Sequence, residues 1–249
     1  MKNKIVTITG ATSGIGWATA LAFKKMGAKL IICGRRDEKL RKLSEILGNH
    51  TQILKFDVRD KKAVFEAFNS LPESWKDIEI LINNAGNAHG LDPVQSASID
   101  DWDAMIDSNV KGLIYVTKAV LPKMIESKKG HIINLGSIAG KEVYPNGNVY
   151  CSSKAAVDFF TQGLRIDLNP LGIRVGAIHP GLVETEFSEV RFKGDKKRAK
   201  SVYKGIEALT PEEVADAIIY MAKVPEKVNI ADMVILPTQQ ANAYINNRM

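Results

Sequence analysis

The chain has 249 residues, 45% of them apolar and 25% charged, which is enough apolar material for one α/β domain with a large core. Its formal charge of +6 and pI near 9.1 fit nucleic-acid binding in principle, but the densest basic run, Lys193 to Lys200, is short, lacks interleaved aromatics and reads as a solvated or mobile loop. No apolar run approaches the ~20 residues that cross a bilayer, Met1-Lys2-Asn3-Lys4 leads straight into a strand, and two cysteines make no disulfide framework, so a cytoplasmic protein with reduced Cys33 and Cys151 is expected.

The first apolar run, Ile5–Ile8, precedes Thr9-Gly10-Ala11-Thr12-Ser13-Gly14-Ile15-Gly16, and the helical pattern Ala18, Leu21, Ala22, Met26 follows. A strand, a glycine turn and a helix in that order let backbone N–H groups and a helix N-terminus approach a pyrophosphate, which larger side chains would hold off. A second strand over Lys29–Cys33 ends in Gly34-Arg35-Arg36-Asp37. An acid at the end of this strand accepts from the ribose of NAD and repels a 2′-phosphate. Gly34 stands there instead, and Arg35 and Arg36 can pair with a phosphate, so NADP is favoured over NAD. Asp37 is the competing acid, but Asp37-Glu38-Lys39-Leu40 reads as a helix cap.

Strands are predicted next at Gln52–Phe56, Ile80–Asn83, His131–Leu135, Arg174–Ile178 and Met233–Leu236, with helices at Glu38–Leu47, Lys61–Asn69, Trp102–Leu121, Tyr150–Leu168 and Pro211–Ala222. This alternation predicts a single doubly wound Rossmann-type domain over 1–249, a parallel sheet of about seven strands with helices on both faces. Cofactor motifs fall mainly in 5–110 and catalytic and substrate elements in 109–249. Ligands of such sheets bind beyond the carboxyl ends of the strands, where Gly10–Gly16, Arg35, Asp57, Asn84, Ser137 and Pro180-Gly181 all fall.

Tyr150 and Lys154 lie four residues apart on a predicted helix and so share a face. A nearby ammonium favours phenolate, which is what a tyrosine needs to exchange a proton near neutral pH. Asn109 falls on the apolar stripe Trp102, Met105, Ile106, Leu113, where a buried amide requires a polar partner or water. His50, His89, His131 and His179 lack ligand spacing, so no metal is expected.

With glycines at 10, 14 and 16, Asn83-Asn84-Ala85-Gly86, and Ser137 thirteen positions before Tyr150, nearly the whole chain resembles the short-chain dehydrogenase/reductase family. The resemblance implies hydride transfer between a nicotinamide and a carbinol carbon. Tyr150 would carry the proton, Lys154 would stabilise the phenolate and hold the nicotinamide ribose, and Ser137 would hold the substrate oxygen. Asn109 would join a proton relay through water to Lys154, and Thr185 would bond the carboxamide. Thr12, Ser13, Ile15, Asp57, Val58, Asn84, Ala85, Gly86, Pro180, Gly181 and Val183 complete the implied cofactor contacts.

The segments Gly181–Ser188, Val190–Asp195 and Val228-Asn229-Ile230 resemble the NADP-dependent serine and 3-hydroxy acid dehydrogenase branch, which includes malonic semialdehyde reductase activity. That branch implies small free acids such as serine, allo-threonine, 3-hydroxypropionate or 3-hydroxyisobutyrate, for whose carboxylate Arg191 is the candidate partner. Two alternatives stay open: a 3-oxoacyl thioester or general carbonyl reductase with the same catalytic residues, and a non-catalytic NADP-binding sensor. The resemblance also implies a homotetramer built on the long helices, with no nucleic-acid or membrane partner.

Overall fold

A computed structural model describes residues 1–249. Its strands are β1 (Ile5–Thr9), β2 (Lys29–Gly34), β3 (Thr51–Lys55), β4 (Ile78–Asn83), β5 (Gly130–Leu135), β6 (Ile173–Pro180) and β7 (Asp232–Ile235). They form one seven-stranded parallel sheet in the order β3-β2-β1-β4-β5-β6-β7. The chain reverses direction across the sheet between β1 and β4, which opens a crevice beyond their carboxyl ends.

The helices are α1 (Gly14–Lys25), α2 (Asp37–Leu47), α3 (Lys61–Asn69), α4 (Ile99–Ile106), α5 (Gly112–Ser127), α6 (Asn148–Leu168), α7 (Phe187–Arg191), α8 (Lys196–Ser201) and α9 (Pro211–Lys223). The central strands are buried along nearly their whole length and mostly apolar because both faces are covered. Phe23 of α1 and Ile218 and Met221 of α9 pack against one face of the sheet. Val64 of α3, Val116 and Met124 of α5 and Leu168 of α6 pack against the other.

Local chemistry sets the helix starts. Asp60 caps α3 by accepting from Ala63 N at 3.0 Å, and Thr210 and Glu213 form a reciprocal capping box on α9. Three expectations are corrected here. Arg36 is the cap residue of α2, and Asp37 is its first helical residue, paired with Arg41 at 2.7 Å. The helix expected over Trp102–Leu121 is α4 and α5 joined by a π-helical turn, Asp107–Lys111. The basic segment expected as a loop contains α8, whose N-terminus Asp195 caps by accepting from Arg198 N.

Candidate active site

A cleft of about 430 Å³ runs along the carboxyl ends of the strands. Every candidate site residue lines it except Gly16 and Asn109. The glycine turn at its floor is tightly specified. Gly10 and Gly14 have φ of +65° and +51°, the left-handed region that L side chains rarely adopt. A Cβ on Gly16 would lie 2.5 Å from both Asn84 Nδ2 and Gly10 O. Asn84 explains this closeness, because its amide donates to Thr9 O at 2.8 Å and Gly10 O at 3.2 Å. Thr9 Oγ1 in turn accepts from Asn84 N and Ala85 N at 3.0 and 2.9 Å. The turn after β4 is thereby bonded to the turn after β1, a role for Thr9 that its sequence position alone does not reveal.

The end of the cleft beside β2 carries a surplus of cations. Arg36 donates to Thr12 Oγ1 from Nε at 3.1 Å and from Nη2 at 2.9 Å, and to Ser13 Oγ at 2.7 Å. Its Nη1 and Lys39 Nζ both meet Glu186, at 2.7 and 2.6 Å. Arg35 lies 3.5 Å from Asp57, which also takes Arg59 at 2.8 Å. Burial opposes the Asp57 charge, but the hydrogen bonds and charge of Arg59, with Arg35, hold its carboxyl below the usual range. Gly34 leaves no space for an acid, since a Cβ there would sit 2.8 Å from Thr12 Cγ2. Asp37 is occupied by Arg41. Val58 packs on Gly112, the first residue of α5, where a Cβ would approach Val58 Cγ2 to 2.7 Å.

At the other end Tyr150 and Lys154 lie on α6, both buried. Burial raises the Tyr150 phenol above its ordinary value, while the Arg191 charge and a hydrogen bond with Ser137 pull it down. Burial also pushes the Lys154 ammonium down to about 8. Lys154 Nζ donates to Leu135 O at 2.9 Å, which fixes it against the end of β5. Ser137 follows β5, and its Oγ accepts from Ala139 N at 3.1 Å. Below these groups Asn83 donates to Thr117 and Asn134, each at 2.9 Å, and Asn134 donates to Thr161 at 2.8 Å. These buried amides tie β4 and β5 to α5 and α6.

Asn109 has its polar partners within the protein. Its Oδ1 accepts from Asn87 N at 2.8 Å, and its Nδ2 donates to Asn87 O and Ser153 Oγ, both at 2.9 Å. Both amide hydrogens are committed within the protein, so the Asn109 side chain has no free N–H to offer a relay, and the residue itself lies within the π-helical turn.

The segment after β6 closes the cleft. Thr185 packs on Gly14, where a Cβ would come within 3.1 Å of Thr185 Cγ2. Val183 pairs with Leu209, and Gln240 accepts from Leu182 N at 2.8 Å. The segment delivers Arg191 to the Tyr150 end of the cleft, its guanidinium carbon 4.8 Å from the Tyr150 ring centroid and 5.4 Å from that of Phe187. Arg191 Nη2 donates to Tyr144 Oη at 2.5 Å, while Nε is buried with no partner. Tyr144, which builds this cationic pocket with Tyr150 and Phe187, carries no motif in the sequence, and Phe187 lies in the Gly181–Ser188 segment with no role read for it there.

A buried tyrosine and lysine and a half-buried serine beside a glycine turn with an open backbone make an arrangement suited to nicotinamide-linked proton and hydride transfer. The model of the short chain dehydrogenase family matches residues 4–196. The chain belongs to the short-chain dehydrogenase family. Within that family, an NADP-dependent 3-hydroxy acid dehydrogenase of Salmonella typhi is 48% identical over 240 residues, covering 96% of this chain and 97% of the relative. Sulfoacetaldehyde reductase 2 of Chromohalobacter salexigens is 46% identical, with 95% of each chain covered. Among solved structures, the closed form of serine dehydrogenase complexed with NADP+ superposes with a TM-score of 0.94 at 47% identity, covering 98% of this chain and 99% of that one. Serine dehydrogenase from Escherichia coli gives 0.84 at 43% identity, covering 95% and 99%.

Proposed function

We propose that this short-chain dehydrogenase transfers hydride between NADP and the 3-hydroxyl or 3-oxo carbon of a small 3-hydroxy acid. The observation that carries the substrate class is Arg191. It is the one cation stacked over the Tyr150 ring, and its buried Nε lacks an acceptor that a bound carboxylate would supply.

The residues present fit the dinucleotide. Gly10 and Gly14 open the backbone to the pyrophosphate. Arg36, with Thr12 and Ser13 beside it and Gly34 excluding an acid, suits a 2′-phosphate. Asp57 and Val58 flank the adenine position, and Thr185 serves the carboxamide. When bound, the nicotinamide supplies or accepts the hydride. Ser137 holds the substrate oxygen, and Tyr150 gives that oxygen a proton in reduction or takes one in oxidation. Lys154 favours the phenolate form of Tyr150. Asn109 fixes the Asn87 main chain and the π-helical turn, and the main-chain oxygen of that turn serves the relay to Lys154.

The carboxylate reading is tested by Arg191→Ala. The Michaelis constant for 3-hydroxypropionate rises roughly ten- to a hundredfold, the value of a charge-assisted hydrogen bond, while that for its methyl ester barely moves. Equal changes for acid and ester would refute the assignment. A guanidinium also recognises sulfonate, so 2-hydroxyethanesulfonate belongs in the same assay, and a preference for it would place the activity with sulfonated aldehydes.

The proposed assembly is a homotetramer formed through the long helices. Phe159 and Ile166 support this, since they stand 72% and 74% exposed on α6. A monomeric mass by light scattering would overturn it. No helix is long and apolar enough to cross a membrane, and both cysteines are free, which supports the cytoplasmic reading.

A further inference from the structure

His179 is fully buried on β6, just before Pro180 and Gly181, yet its side chain is no part of the cofactor cleft. Its ring lies against Gly136, where an added Cβ would overlap it. Ring Nδ1 is 3.3 Å from the Ser137 carbonyl oxygen. Ring Nε2 faces Asp232 Oδ1 at 2.9 Å and Asp158 Oδ1 at 3.7 Å. Lys141 donates to the second oxygens of the same carboxylates, to Asp158 Oδ2 at 2.9 Å and Asp232 Oδ2 at 2.6 Å.

These four charged or titratable side chains connect the catalytic elements. Asp158 stands one turn beyond Lys154, which stands one turn beyond Tyr150, so the three share a face of α6. Lys141 follows the short 3₁₀ turn Ile138–Gly140 that begins at Ser137. Gly140 packs so closely on the Lys154 main chain that a Cβ there would lie 2.6 Å from Lys154 O. Asp232 opens β7 and is half-exposed, so the cluster runs from the protein surface to the Ser137 main chain.

Asp158, His179 and Asp232 also converge as a metal triad would. Lys141 Nζ, however, already holds one oxygen of each carboxylate. Of the two ring nitrogens only Nδ1 is aligned for a hydrogen bond, and its acceptor is the main chain of Ser137. Gly136 N in turn donates to Ile178 O at 2.8 Å, so the residue before His179 grips the same turn.

We propose that His179 is a positioning residue for Ser137. The ring and its Nδ1–H fix the Gly136-Ser137 main chain, and the Lys141, Asp158 and Asp232 charges hold the ring and α6 in one frame. The serine hydroxyl is thereby kept in register with Tyr150. This inference rests on the reading of Ser137 as the group that holds the substrate oxygen. Burial, the largest influence, and the neighbouring Lys141 ammonium lower the His179 pKa, against the Asp232 and Asp158 carboxylates and the Ser137 carbonyl, which raise it.

The test compares His179→Leu, His179→Asn and Ser137→Ala, with kcat, the Michaelis constant for NADP and the deuterium isotope effect on hydride transfer measured for each. Small misplacements of a reacting group lower rates by up to about a hundredfold. His179→Leu is therefore expected to lower kcat roughly ten- to a hundredfold, raise the isotope effect and leave the NADP constant within about twofold. His179→Asn recovers most of kcat, because its Nδ2–H stands where the ring Nδ1–H stood. Adding Ser137→Ala to His179→Leu lowers kcat no further than Ser137→Ala alone, since both changes remove one interaction. Should His179→Leu not fold, His179→Gln takes its place, because it keeps an amide but moves it one carbon away from Ser137.

A normal kcat and isotope effect in His179→Leu, or equal losses in the Leu and Asn variants, would overturn the proposal. Full activity in Ser137→Ala would instead overturn the underlying reading of Ser137, so the two failures are distinguishable.

Discussion

Arg36 offers the sharpest test of how the cleft selects its nucleotide. In the structure its guanidinium is shared among Thr12, Ser13 and Glu186. To bind a 2′-phosphate it must exchange the Glu186 carboxylate for the phosphate, so the net gain is the difference between two ionic contacts. A hydrogen bond to a charged group contributes about 1.5–3 kcal/mol, and an exposed ion pair such as Arg36–Glu186 up to ~1 kcal/mol. The difference leaves about 1–2 kcal/mol for Arg36, or roughly a five- to thirtyfold loss of NADP affinity in Arg36→Ala. NAD, which has no 2′-phosphate, should bind that variant as it binds the parent enzyme. Glu186→Gln is the converse perturbation. It removes the competing carboxylate and is expected to tighten NADP binding several-fold without changing NAD binding. Titration of NADPH and NADH fluorescence gives all four constants. An equal loss for both nucleotides in Arg36→Ala would mean that Arg36 acts by anchoring the Glu186 segment, and the phosphate argument would fail.

The remaining expectations concern pH, packing and the proton donor. Lys154 titrates near 8 rather than at 10.5, so kcat/KM for reduction should fall as pH rises through about 8, and Lys154→Arg should move that limb upward. The same depressed value means that unfolding takes up a proton there, so the Lys154 contribution makes stability rise with pH from about 8 to 10.5 in denaturant titrations. Gly16→Ala would place a Cβ 2.5 Å from Asn84 Nδ2 and Gly10 O, which predicts a loss of about 1–3 kcal/mol and a melting point lower by several degrees. An unchanged melting point would show that the turn after β4 can give way. Tyr150→Phe removes the transferable proton but keeps the ring under Arg191, so nucleotide binding should persist while turnover is lost.

Much of the site was legible because it depends on local spacing. The strand, glycine turn and helix around Gly10–Gly16 are contiguous, and the four-residue separation of Tyr150 and Lys154 places both on one face of α6. The sheet could be read because its buried strands are short apolar runs between helical segments. Features made by distant segments were hidden. The π-helical turn at Asp107–Lys111 leaves the apolar periodicity of α4 and α5 unbroken, so the sequence read as one regular helix. The commitment of the Asn109 amide to Asn87 and Ser153 depends on three separate elements meeting. Arg191 was the candidate carboxylate partner, but its stacking over Tyr150, Phe187 and Tyr144 follows from how the segment after β6 folds back over the cleft. The Lys141, Asp158, His179 and Asp232 cluster joins residues up to 91 positions apart in sequence, and histidine spacing along the chain cannot show it.

The most direct test of the account is nicotinamide absorbance with 3-hydroxypropionate, serine and allo-threonine, each against its methyl ester, with NADP and with NAD. We expect turnover with NADP and the free acids, with little activity on esters or with NAD. Equal rates on acids and esters, or equal use of NAD, would contradict the roles given to Arg191 and Arg36.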